Sequence, residues 1–454
     1  MNTEYMRFLA SKRIDDRPTG LAIDSVSNPM LFDFQADITR WALRRGRAAI
    51  FADCGLGKTP IQLEWARRIP GRVIIAAPLA VATQTVREAD KFGVEGVRYL
   101  RADDHSTRIV VTNYEMLDRF RPRDFVGIVL DESSILKSYT GKFRNQLIAD
   151  WGCLPFRLAA TATPAPNDFM ELGNHSEFIG AMTRTDMLAS FFVHDGGETQ
   201  KWRLKGHAES EFWRWMCSWA VMIRKPSDLG YNDGAFILPG LKINQVQVES
   251  NSTGPGMLFP VNARTLQERR EARKMSVGAR VAAVAGLVNS SDRPWITWCD
   301  LNIESGMLAK EIHGAVEIRG SDDPDFKEDS LIRFASGDIR VLVTKPSIAG
   351  FGLNWQHCSD VAFTGLSDSY EQFYQAIRRC WRFGQKRAVE CHVVTSTSEG
   401  AVVENIKRKE AASERMADMM VRHMQGLSSD AIRGTQLVDR SYDATEEMEV
   451  PDFL

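Results

Sequence analysis

The chain has 454 residues, 44% of them hydrophobic and 26% charged, with a formal net charge of −2. That is enough chain for two or three domains and an ordinary balance for a water-soluble fold. It shows no global basic excess to mark a nucleic-acid binder, although a local basic groove stays open. Seven cysteines stand at 54, 153, 217, 299, 358, 380 and 391 with no C-x-x-C pair, so the pattern offers neither a zinc site nor a disulfide framework. A reducing cytoplasm is the expected setting. No apolar stretch approaches the roughly 20 residues needed to span a bilayer.

Residues 1–27 read as a polar N-terminal extension that lacks the apolar core of a signal peptide. From 31 to about 170, short apolar runs alternate with helical patterns. The runs are AAIFA, VIIAAP, IVVTNY, GIVLDE and FRLAATATP. This alternation predicts βα units and a parallel sheet, with chemistry at the carboxyl ends of the strands.

The first such ending is FADCGLGKTP (51–60). Gly55 and Gly57 precede Lys58 and Thr59. Ile61, Trp65 and Ile69 then recur every fourth residue, as on one helix face. A strand, a glycine-rich turn and a helix aim backbone N–H groups at one point. Lys58 suits the β- and γ-phosphates of ATP and Thr59 suits Mg²⁺. The usual first glycine of the phosphate-loop pattern is Ala52 here, so an ordinary strand–helix turn is the competing reading. GIVLDES adds Asp131 and Glu132 at the end of another strand. One carboxylate there would hold Mg²⁺ through water and the next would act on the attacking water, whereas a solvated turn is the plain alternative. Thr161 and Thr163 end the following strand, a weak signal by itself.

Residues 175–274 differ. Tryptophans at 202, 213, 215 and 219 sit among helical and Gly/Pro/Asn-rich stretches. They predict a small helical insertion, with its tryptophans as core in preference to a surface for stacking bases. A second α/β pattern occupies 275–400, with WITWCD, AVEIRG, IRVLVTKP, VAFTG and VECHVVT as strands. Within it YEQFYQAIRRCWRFGQ sets Gln375, Arg379 and Arg382 on one helix face. Two arginines aimed at a phosphate held by another domain would act as arginine fingers; a solvated basic helix competes. A helix is expected over 401–424 and an acidic, poorly ordered tail over 425–454. The tail's EEMEVPDFL is a conceivable docking segment for a protein partner, against the plainer reading of a solvated terminus.

In order along residues 31–410 these stretches resemble superfamily 2 helicases and translocases, and among them the Snf2-like group. Phe34 and Gln35 resemble the Q motif, FADCGLGKTPIQ motif I, AAPLAVATQTVREADKF motif Ia, and LDESSILKS the Asp-Glu motif. TATPAPNDFMELGN is similar to motif III, LIRFASGDIRVLVTKPSIAGFGLN to motifs IVa and V, and QAIRRCWRFGQ to motif VI with its trailing Gly-Gln. The layout also looks like compact helicases of phages and prophages. The resemblance implies an α/β fold of two tandem RecA-like domains, at 28–174 and 275–400, with ATP and Mg²⁺ between them. It implies an adenine contact from Gln35 and nucleotide contacts from Gly350 and Gly352. It implies nucleic-acid contacts near Thr112, Tyr114, Thr344 and Lys345, with DNA, double-stranded by preference, as the partner of a monomeric motor. A strand-separating helicase and a nucleotide-gated scaffold remain the alternatives. Two positions depart from the pattern: Ser133 replaces the His that usually follows Asp-Glu, and Arg378 replaces the Gly before Arg379.

Overall fold

In the computed structural model, residues 19–137, 141–165, 168–194, 202–249, 273–349, 354–367, 369–396 and 400–433 are described. Gly350, Gly352 and residues 434–454 of the acidic tail lie outside them.

The first sheet contains β1 (Arg47–Ala52), β2 (Val73–Ala77), β3 (Val97–Tyr99), β4 (Ile109–Asn113), β5 (Gly127–Asp131), β6 (Phe156–Thr161) and β9 (Ala220–Ile223). Its order is β3-β4-β2-β5-β6-β1-β9, and every pairing is parallel. The strands are near-continuous apolar runs because helices cover both faces, as parallel sheets require. On these faces lie α1 (Asp33–Arg45), α2 (Lys58–Arg68), α3 (Leu79–Lys91) and α4 (Lys142–Trp151). Register sets the site: Phe51 pairs with Thr161 and Asp131 with Ala160, so β1, β6 and β5 end level on one edge.

The second sheet contains β10 (Leu241–Val248), β11 (Trp295–Trp298), β12 (Ala315–Glu317), β13 (Val341–Thr344), β14 (Asp360–Phe363) and β15 (Val389–Ser396). It is again wholly parallel, in the order β10-β15-β14-β11-β13-β12. Its helices are α8 (Val277–Asn289), α9 (Asn302–Glu311), α10 (Pro324–Ser336), the short α11 (Pro346–Ala349) and α12 (Tyr370–Ile377). The fold is two tandem RecA-like α/β lobes.

The tryptophan-rich segment supplies more than helices. It holds α5 (Leu172–Ile179), α6 (Arg184–Phe191), a two-stranded hairpin of β7 (Phe192–His194) and β8 (Trp202–Leu204), and α7 (Glu209–Trp219). It also gives one strand to each sheet, β9 beside β1 and β10 beside β15. Trp213 and Trp219 are fully buried and Trp215 nearly so, which makes them core. The helix expected over 401–424 is α13, Gly400–Arg433. Val402 and Ile406 pack into the second lobe, whereas Met416 and Met420 enter the core of the first. Nearer its end, Ile432 is buried against α1, and its carbonyl accepts from Arg40 at 2.5 Å. The helix therefore straps one lobe to the other. Among the described residues no helix is long and apolar enough to cross a membrane.

Inside the second lobe, Arg280 on α8 and Glu304 on α9 form a fully buried ion pair at 2.7 Å. The other carboxylate oxygen accepts the backbone N–H groups of Asp300 and Leu301, each at 2.9 Å. Removing one member of such a pair strands a buried charge, at roughly 3–5 kcal/mol. Glu304→Gln is therefore expected to lower the urea midpoint of the second lobe sharply, whereas Arg280→Met with Glu304→Leu lowers it much less.

Candidate functional site

The level strand ends of the first lobe face the second lobe across a cavity of about 290 Å³. Residues from β1 to α2 form its floor. Gly55 and Gly57 both have positive φ, +90° and +82°, which glycine adopts without penalty. Space also demands glycine here. A Cβ on Gly57 would fall 2.2 Å from Gln35 Nε2, and one on Gly55 would fall 2.9 Å from the backbone N of Phe383. Gly57 caps α2, so the first N–H groups of the helix open toward the cavity. Lys58 Nζ donates to the carbonyl of Ala52 at 2.9 Å, bent back over its own loop.

Asp131 and Glu132 enter from β5. Asp131 is buried, and its Oδ1 accepts from Gln62 Nε2 at 2.8 Å and from the N–H of Glu132 at 3.1 Å. Its backbone carbonyl accepts from the Tyr114 hydroxyl at 2.7 Å. Glu132 has φ +54°, unusual for a residue with a Cβ. Thr161 donates to its carboxylate at 3.4 Å. Removal from water raises both carboxyls above their ordinary range; Gln62 and the Lys58 cation oppose that at Asp131, and Lys58 opposes it at Glu132. Two acids held dry beside each other leave an electrostatic deficit that a cation would fill.

Opposite them, Arg379 and Arg382 reach into the same cavity from the turns that follow α12; the helix ends at Ile377, so of the three residues expected on one helix face only Gln375 is helical. Burial and then Arg379 lower the Arg382 guanidinium to about 10, so it stays charged at neutral pH. Its Nε is buried with no hydrogen-bond partner among the described residues. Lys58, Thr59, Asp131, Glu132, Arg379 and Arg382, read from separate stretches of sequence, thus line one cleft.

Gln35 lines it too, with its amide engaged locally. Its Nε2 donates to the Leu56 carbonyl at 2.9 Å, and its Oε1 accepts the N–H of Phe32 at 3.0 Å. Sequence reasoning missed an aromatic cluster at the mouth. Phe236 lies 4.9 Å from Phe32 and 4.7 Å from Phe383, ring centre to ring centre. Phe383 stood inside a quoted motif and Phe32 two residues before Phe34, but Phe236 comes from a stretch with no sequence signal. Asn354, Gln356 and Glu88 were missed as well.

The expected nucleic-acid residues fall elsewhere. Thr112, Tyr114 and Thr344 are buried, Tyr114 under Asp131 and Thr344 donating to Ile318 at 3.0 Å. Lys345 is half-exposed.

Ser133, standing where the related motif has His, hydrogen-bonds to Nε2 of the fully buried His175 at 3.1 Å. An imidazole from α5 thus reaches the residue after Glu132 through space.

Residues 262–384 match the helicase conserved C-terminal domain, a span that includes α12, Arg379 and Arg382. No curated protein matches the chain. The second lobe therefore carries a superfamily 2 helicase C-terminal domain, and the fold and domain are those of helicase-type ATPases in general.

Burial lowers the His175 imidazole to about 4, so folding favours its neutral form. A depressed folded value stabilises above the unfolded value and is lost as pH falls toward the folded one. Unfolding in urea should show up to about 3 kcal/mol of stability lost between pH 6.5 and pH 4 from this group. His175→Gln should flatten that part of the profile.

Proposed function

We propose that this chain is an ATP-driven motor of the Snf2-like type that tracks along double-stranded DNA. One observation carries the reading: the phosphate-loop lysine and the acid pair of one lobe face two arginines of the other across a single cleft.

In this reading Lys58 leaves the Ala52 carbonyl and takes the β- and γ-phosphates of ATP, while the N–H groups at the start of α2 hold the same charge. The donor set suits Mg²⁺, being all hard oxygen and acidic, with Thr59 and Asp131 as the residues that would hold it. When bound, the ion would neutralise phosphate charge. Glu132 orients the attacking water and accepts its proton. Arg379 and Arg382 stabilise charge on the transferred phosphoryl group. Neither lobe is competent alone, so hydrolysis is tied to closure and each cycle can move one lobe against the other.

Phe32, Phe236 and Phe383 supply flat apolar surface for the base at the mouth. Gln35 then acts first by holding the loop and the start of α1 together. DNA is held mainly by phosphate contacts over both lobes, with Lys345 the accessible candidate among the residues first considered. The Snf2-like motif VI, ending Gly384-Gln385, favours tracking on a duplex over strand separation.

ATP turnover measured with double-stranded DNA, single-stranded DNA and RNA at one salt concentration tests this. A large stimulation by duplex, with ATP-dependent displacement of a triplex strand, is expected. Fork unwinding without triplex displacement would replace the translocase with a strand-separating helicase. Turnover that nucleic acid leaves unchanged would leave a nucleotide-gated scaffold.

Lys58→Ala should weaken nucleotide binding, read by isothermal titration with a non-hydrolysable ATP analogue, and abolish turnover. Arg382→Ala should leave binding within a few-fold and cut single-turnover hydrolysis by on the order of 10³–10⁵. A near wild-type rate in Arg382→Ala would move that arginine out of the chemistry.

A further inference from the structure

Arg378 stands next to Arg379 but faces the other way. It does not line the nucleotide cleft; it lines a second cavity of about 210 Å³, together with Asp53, Tyr374 and Trp381. Its Nη2 donates to Asp53 Oδ2 at 2.5 Å, and the Tyr374 hydroxyl donates to Asp53 Oδ1. The guanidinium lies 5.1 Å from the ring centre of Tyr374 and 4.4 Å from that of Trp381. The Trp381 indole is fixed in turn, donating to the Pro239 carbonyl at 2.6 Å.

Asp53 belongs to the other lobe. It follows β1 directly and opens the turn that becomes the phosphate loop. Its N–H donates to Ile223 at the end of β9 at 3.0 Å, and its own Oδ1 accepts the N–H of Cys54 at 2.6 Å. One carboxylate therefore shapes the loop and receives two donors from across the cleft. Side-chain exposures of 9% for Arg378 and 15% for Asp53 mean that water competes weakly for either charge. A charge-assisted bond in that setting, with two aromatic faces on the cation, is much stronger than a surface ion pair.

We propose that Asp53, Tyr374 and Arg378 form a latch between the lobes that holds the arginine-bearing turn against the phosphate loop before nucleotide arrives. Arg378 is then a positioning residue for the hydrolysis proposed above, and that part of the inference rests on that reading. The latch has a second effect. Asp53 is an acid beside a loop meant for phosphate, and the Arg378 cation cancels its charge. Opening the latch would separate the lobes and expose incoming phosphates to a bare carboxylate. Arg379 and Arg382 contact substrate in this scheme; Arg378 sets where they stand.

The test uses full-length protein with Arg378→Gln, Asp53→Asn, the double variant, and Tyr374→Phe, which deletes a single hydroxyl and is the safeguard if a charge variant misfolds. Small-angle X-ray scattering without nucleotide reads the lobe separation, and steady-state ATPase reads kcat and KM separately. Arg378→Gln should increase the radius of gyration, cut kcat at least tenfold and raise KM. The double variant should recover KM, because no bare carboxylate remains, while kcat and the scattering stay those of the single variant. Tyr374→Phe should give a smaller change in the same direction. Scattering and kcat unchanged in both Arg378→Gln and Tyr374→Phe would overturn the latch. The scattering comparison stands without any hydrolysis, so an inactive wild type would sink the motor reading alone.

Discussion

A strand in a parallel sheet must deliver its carboxyl end to the same edge as its neighbours. Everything at this site depends on that constraint. Because β1, β6 and β5 are adjacent in the sheet and level in register, the glycine-rich turn after β1, Thr161 and the Asp131-Glu132 pair open at one height. Most of the connections that return a strand to its start run as helices over the faces, so the edge itself is free for loops. The glycines at 55 and 57 then let backbone, not side chain, form the floor.

That constraint also explains what could be read from the sequence. Lys58, Asp131 and Glu132 follow uninterrupted apolar runs, and a run ending in polar residues is a direct statement of where a strand stops. Arg379 and Arg382 were expected on one helical face, but α12 stops at Ile377 and it is the turns after it that bring the two arginines to one cleft. The flanking strands were harder. β9 is four residues that continue directly from α7, and β10 alternates polar and apolar residues as an outer strand with one partner does. The apolar run of β9, Ala-Val-Met-Ile, merges with the apolar end of α7, and β10 has no continuous apolar run; both lay in a stretch dominated by tryptophans.

Contacts between distant stretches left no local trace. His175 meets Ser133 across 42 positions, and Arg378 meets Asp53 across 325. The sequence marked both Ser133 and Arg378 as departures from a pattern but gave no indication of their partners. The buried positions of Thr112, Tyr114 and Thr344 show the converse. A polar residue at the end of a strand is a good guess for a contact, yet here those side chains satisfy neighbouring backbone or stay within the sheet.

The last helix, α13, has a mechanical consequence. Its 34 residues make a rod about 50 Å long. Val402 and Ile406 fix one end in the second lobe, and Met416, Met420 and Ile432 fix the rest to the first. A rigid link seated at both ends removes most of the six degrees of freedom by which two free bodies could move. Lobes joined in this way can swing about the rod more readily than they can slide along it or separate from it. Rotation about one axis is the motion that opens and shuts a cleft without losing the alignment of its walls.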